Sequence, residues 1–139
     1  MGRDSLKLPR ILVCGGRNYD DRFNVYRHLD RITFERGWIT PEELRDDVGN
    51  YLPEVVIISG AANGADQCAI DWAVVNWTGL EEYPAQWDKY GKRAGYIRNQ
   101  QMLDEGKPDL VVAFPGGKGT KMMVDIARKA GVEVVEIEE

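Results

Sequence analysis

Six residues near the C-terminus, Pro115-Gly116-Gly117-Lys118-Gly119-Thr120, have the composition of an anion-binding loop. They follow an apolar run, Leu110 to Phe114, and open a stretch with helical patterning. Glycines let the backbone turn tightly and bring its amides close to a ligand with no Cβ in the way. The unpaired N–H groups and positive dipole end of a following helix favour a phosphate or carboxylate at that point. A methyl group at Gly117 is therefore expected to block close approach of a ligand or to force a strained φ. Neither of two familiar phosphate motifs is present. A Walker lysine must be followed by Ser or Thr, whereas Lys118 is followed by Gly119; the third glycine of the dinucleotide fingerprint falls on Met122.

Other residues suited to the same chemistry lie far away in sequence. Arg17 and Asn18 follow the pair Gly15-Gly16, where an arginine either clamps an anion bidentately or pairs on the surface. Asn18 alternatively closes an Asx-turn. Ser59-Gly60 ends a second apolar run, and Gly64-Ala65-Asp66 opens the segment after it. Asp66 has two readings: a capping partner of Asn63, or an acceptor for a ribose hydroxyl beside a phosphate. Arg98 and Asn99 interrupt the apolar pattern of Ala94, Ile97, Met102 and Leu103, so that one side of their helix faces something other than core. Trp87 and Tyr90 either pack or stack on a base or guanidinium. Thr120 serves as a helix-start hydroxyl, a phosphate ligand, or both.

These groups must be held by the elements around them. Arg10 to Cys14, Glu54 to Ser59, Leu80 to Ala85, Asp109 to Phe114 and Val132 to Ile137 are predicted strands. Helical segments alternate with them. The first is capped by Asp20 or Asp21, carries Val25, Leu29 and Ile32 at helical spacing and is stopped by Gly37. The second begins near Asn63, the third runs from about Lys92 to Glu105 after a loop at Trp87 to Gly91, and the fourth spans Gly119 to Ala130. Thr40-Pro41-Glu42-Glu43 has the pattern of a capping box and predicts a short acidic helical insert over residues 38–53, including Asp46 and Asp47.

The alternation predicts one α/β domain over residues 1–139, three layers deep with a mainly parallel five-stranded sheet. Right-handed crossovers favour strand order 3-2-1-4-5, with 2-1-3-4-5 as the alternative. In the first order all three glycine-bearing loops share one crevice at the carboxyl ends of the strands, where open α/β sheets bind ligands.

Composition narrows the function. A net charge of −5 argues against a broad face for duplex nucleic acid, though a small anion needs only local amides and one or two arginines. Two cysteines and one histidine are too few for a zinc or disulfide framework, so no metal is expected and the thiols read as buried and reduced. No cofactor is implied. Met1 to Leu6 carries no apolar signal core, and no stretch is long enough to span a bilayer, so the expected location is cytoplasmic.

Taken in order, Gly15-Gly16-Arg17-Asn18-Tyr19, Ser59 to Asp66, Tyr83-Pro84-Ala85 with Trp87, Gly95 with Arg98-Asn99 and Met102, and Pro115 to Thr120 resemble the YspA/YpsA-related branch of the SLOG superfamily. The likeness covers nearly the whole chain except residues 38–53. It implies a Rossmann-like fold, a pocket for a nucleotide or nucleotide-derived ligand, and a homo-oligomer paired through helices flanking the site. More distantly the chain is similar to the Lonely Guy phosphoribohydrolases, which remove the base from a nucleoside monophosphate, and to a DNA-processing protein that binds single strands. Those hydrolases carry a glutamate three residues after the threonine of the loop, where this chain has Met123. The arginine they use matches Arg98, so Arg98 and Asp66 are the catalytic candidates. Loss of the carboxylate favours ligand binding over hydrolysis, because an oxocarbenium-like transition state needs a carboxylate beside it.

Overall fold

A computed structural model describes residues 7–45, 47, 49 and 51–139. Five strands, β1 (Arg10–Cys14), β2 (Val56–Ser59), β3 (Gly79–Glu82), β4 (Leu110–Ala113) and β5 (Glu133–Glu136), form one parallel sheet in the order β3-β2-β1-β4-β5. This is the expected 3-2-1-4-5 order.

Side-chain alternation along the strands divides the core in two. Ile11, Val13, Ile57, Leu110 and Val112 face α1 (Arg22–Glu35) and α2 (Ala65–Val75), where Val25, Leu29, Ala69 and Trp72 pack on them. Leu12, Cys14, Ile58, Val111 and Ala113 face the opposite layer, against Met102 of α4 (Ala94–Gly106) and Met123, Val124 and Ala127 of α5 (Lys118–Lys129). The central strands are apolar on both faces because helices cover both. The small residues Ala65, Ala69 and Ala73 let α2 lie close to the sheet. Trp72 fills the space beside them, fully buried, with its indole N–H donating to Asp30 Oδ1 at 2.9 Å.

Asp21 caps α1 by accepting from the Asn24 amide, and Gly37 follows the helix at φ +72°. The third strand is shorter than expected, and Pro84, which has no amide proton, lies just beyond its end. Trp87–Tyr90, expected as loop, forms a single helical turn (α3), and a 3₁₀ turn at Gly91–Arg93 leads from it into α4.

The insert differs more. Among its described residues the helical content is one 3₁₀ turn, Glu42–Leu44, and the expected capping box does not form. The Thr40 hydroxyl donates instead to the Leu52 carbonyl (3.0 Å) and accepts from the Leu52 amide (2.9 Å), beside an antiparallel bridge between Ile39 and Pro53. A short hydroxyl that can satisfy backbone groups across a loop does so at the expense of the helix start. Asp46 and residues 1–6, on which the leader reading rested, lie outside the described residues.

Candidate functional site

The winding reverses between β1 and β4, and the loops after these two strands are tied together there. The Gly16 amide donates to the Pro115 carbonyl at 2.8 Å, and the Ala65 amide donates to the Gly16 carbonyl at 3.2 Å. Small residues make this junction possible. A Cβ on Gly15 would come within 2.6 Å of the Ala65 Cβ, and one on Gly116 would overlap the Thr120 hydroxyl and approach the Gly16 amide nitrogen to 2.7 Å. Gly64, at φ +76°, has its α-carbon against the carbonyls of Gly16 and Arg17.

Over the junction lies a cavity of about 270 Å³. Gly15, Gly16 and Arg17 border it on one side, Gly117, Gly119 and Thr120 on another, and Asp66, Arg98 and Asn99 on the rest. A second lobe of about 240 Å³ runs past Gly60 to Asn63 and Pro84, sharing Arg17, Ala62, Trp87 and Arg98 with the first. Together the lobes fall in the range of small-molecule sites, roughly 300 to 1,000 Å³.

The N-terminus of α5 opens into the first lobe. Among the described residues, none of the amides of residues 116–120 donates to a protein acceptor; the first such bond in the helix runs from the Lys121 amide to the Gly117 carbonyl at 3.0 Å. Gly117 sits at φ −102° and a Cβ there would meet nothing within 4 Å. The expectation of a strained φ at Gly117 is thus wrong, and its methyl would meet no protein atom at a position that lines the cavity. The glycines that the junction itself requires are Gly15, Gly64 and Gly116.

A polar chain crosses the crevice. The Arg98 Nη1–H donates to the Gly60 carbonyl (2.5 Å) and its Nε–H to Asn99 Oδ1 (3.0 Å), while Asn99 Nδ2 donates to the Gly119 carbonyl (3.1 Å). Arg98 is held at two points, and its second terminal nitrogen makes no protein hydrogen bond among the described residues. Asn99 is 6% exposed with both ends of its amide engaged, so it orients Arg98 and the α5 loop. At the rim Arg17 is exposed, in no ion pair among the described residues, and lies with its guanidinium carbon 5.1 Å from the Trp87 ring centre.

Asp66 is the one carboxylate among the residues lining either lobe. It does not pair with Asn63 as a cap. Helix α2 is capped by Gly64, and Asp66 Oδ2 accepts from the Ala62 amide at 3.2 Å, inside the loop. Burial raises its pKa from an ordinary 3.8 to about 6, against the opposing pull of the Ala62 amide, Arg98 and Arg17. Neither arginine comes within 4.0 Å of it among the described ion pairs. Cys14 lines the cavity floor, but burial pushes its thiol far up, leaving it protonated and a poor nucleophile.

The raised value gives a stability prediction. Between pH 4 and 6 the folded state binds more protons than the unfolded one, so stability falls as pH rises through that window. A shift of this size corresponds to about 3 kcal/mol once Asp66 is ionised. Asp66→Asn keeps an acceptor for the Ala62 amide and removes the charge. Urea denaturation should find the variant more stable than the wild type at pH 8 by up to about 3 kcal/mol, and nearly equal to it at pH 4. A variant less stable at pH 8 would mean that Asp66 is compensated in the fold.

Several expected ligand residues support the site without lining it. Ser59 is fully buried, its hydroxyl donating to the Asp66 carbonyl (3.3 Å) and accepting from the Ala61 amide (3.2 Å). Gly64, Ala65, Pro115 and Gly116 build the junction, and Asn18 lies exposed outside both lobes. Met123 is fully buried against the sheet. Lys92 and Tyr96 line the cavity unforeseen. Tyr96 stands three residues before Asn99 on α4, a same-face spacing that could have identified it; Lys92 lies in the 3₁₀ turn, where no period applies.

Fold and site define a doubly wound α/β domain with a polar crevice at its topological switch point. No protein-family model matches the chain. The Gene 61 protein of Mycobacterium phage D29 is 31% identical over 138 residues, an alignment covering 92% of this chain and 95% of that protein, and the chain belongs to the same family.

Proposed function

We propose that the protein binds a nucleotide or nucleotide-derived phosphate ligand, as a sensor or ligand-binding domain of the SLOG type. The observation that carries this is the convergence of the unpartnered α5 amides with Arg98 and Arg17 on one cavity. Backbone amides at a helix start, with a guanidinium beside them, are the usual means of holding a phosphate. Arg98 is fixed in advance by Gly60 and Asn99, which lowers the cost of ordering it when the anion arrives. Trp87 and Tyr96, both partly exposed at the cavity, supply apolar faces on which a base can lie.

A phosphoribohydrolase reading draws on Asp66, a buried carboxylate with a pKa of about 6 in the same cavity. Against it, Asp66 is bound on one oxygen by the loop, and the position where the hydrolases place their glutamate is turned into the core as Met123. Titration of nucleoside 5′-monophosphates, with chromatography of the same mixtures, tests both readings. Binding heat with little or no release of free base is expected. Absence of any binding would sink the phosphate site, and brisk base release that Arg98→Ala abolishes would make the protein an enzyme.

A further inference from the structure

Anion sites seldom contain a buried carboxylate, and this cavity does. Asp66 is 6% exposed and belongs to the same lining as the free α5 amides. One of its oxygens is taken by the Ala62 amide; the other has no protein partner among the described residues. Since no sealed side-chain polar atom lacks a hydrogen bond among those residues, the free oxygen opens to the cavity. Its position is fixed from below, because the first turn of α2, which carries it, is held by the Ser59 hydroxyl on the Asp66 carbonyl and by the Ala65 amide on the Gly16 carbonyl. A Cβ on Gly60 would lie 3.0 Å from Asp66 Oδ2 and 2.6 Å from Arg98 Nη1, so the acid and the arginine flank one point without forming a pair.

A carboxylate so placed repels a phosphate and is satisfied only by a hydrogen-bond donor. We infer that the ligand presents hydroxyl groups to Asp66 beside its phosphate, which makes the ligand class a ribonucleotide or a related hydroxylated sugar phosphate. This deepens the phosphate-site reading and rests on it. Arg98 and the α5 amides supply the attraction that the anion needs, and Asp66 supplies selectivity: a bare phosphate meets only its repulsion, whereas a sugar phosphate gains a charge-assisted bond. Deoxygenated sugars lose that bond and leave the buried carboxylate unpaired, which is the costly side of hydrogen-bond discrimination.

The test uses inorganic phosphate, a set of nucleoside 5′-monophosphates and their 2′,3′-dideoxy counterparts, titrated into the wild type, Asp66→Ala and Asp66→Asn with melting followed for each. The wild type should prefer the ribonucleotide over its dideoxy counterpart by about tenfold or more. In Asp66→Ala that preference should fall below about twofold while inorganic phosphate binds several-fold more tightly, opposite changes that one lost charge predicts. Asp66→Asn, which keeps an acceptor for Ala62, should also tighten phosphate and provides the comparison if the alanine variant is poorly folded. Unchanged discrimination in a folded Asp66 variant, or weaker phosphate binding in both, would overturn the hydroxyl assignment alone. A wild type that binds neither phosphate nor any nucleotide would overturn the phosphate site and this assignment with it.

Discussion

Gly64→Ala should cost about 4 kcal/mol or more, while Gly117→Ala, in a more glycine-rich loop, should change stability by less than about 0.5 kcal/mol. Gly64 is at φ +76° and ψ −128°, outside the left-handed helical well and in a region used almost solely by glycine, which costs an L-residue about 1 to 3 kcal/mol by itself. Its methyl would also overlap the Gly16 carbonyl oxygen and come within 2.5 Å of the Arg17 carbonyl oxygen. Both are backbone atoms of the β1 loop, which is itself hydrogen-bonded to Pro115 and Ala65, so neither can yield without opening the junction. A loss of this size is a large part of the roughly 5 to 15 kcal/mol that stabilises a domain. Urea denaturation of the two variants measures the contrast. A Gly64→Ala midpoint close to that of the wild type would mean that the two loops are not clamped together.

The second large effect is on binding. Gly117→Ala adds a methyl group, free of protein contacts, to a residue that lines the cavity beside the α5 amides, and Arg98→Ala removes the guanidinium held between Gly60 and Asn99. Charge-assisted hydrogen bonds to an anion contribute about 1.5 to 3 kcal/mol each, so loss of two weakens affinity by on the order of a hundredfold or more. Arg98→Ala should weaken binding as well and also disturb the fold, because it leaves the Gly60 carbonyl and Asn99 Oδ1 without their donor. Gly117→Ala should not, since nothing in the protein lies within 4 Å of the added atom.

The sheet order was legible in the sequence because the three central strands are apolar on both faces and each ends close to glycine, a pattern that a buried parallel sheet imposes and few other elements share. The meeting of Gly15-Gly16, Gly60 and the 115–120 loop followed from that order. What the sequence concealed depended on competition between partners. Asp66 stands at a spacing that suits a helix cap, and only the course of residues 61–64 shows that Ala62 takes its oxygen. Thr40 carried a capping signature that lost to Leu52 across the insert. Gly116 and Gly117 are identical letters, yet one abuts Thr120 and Gly16 while the other faces empty space. Composition alone cannot distinguish a glycine needed for packing from one needed for a ligand.

Calorimetric titration of a nucleoside 5′-monophosphate panel into the wild type and Gly117→Ala, with melting temperatures recorded for both, addresses the phosphate site most directly. The expected result is a nucleotide that binds the wild type and binds Gly117→Ala about a hundredfold more weakly or not at all, at an unchanged melting temperature. Equal affinity in the two proteins would contradict it, leaving the 115–120 segment a turn between β4 and α5 and the ligand site elsewhere.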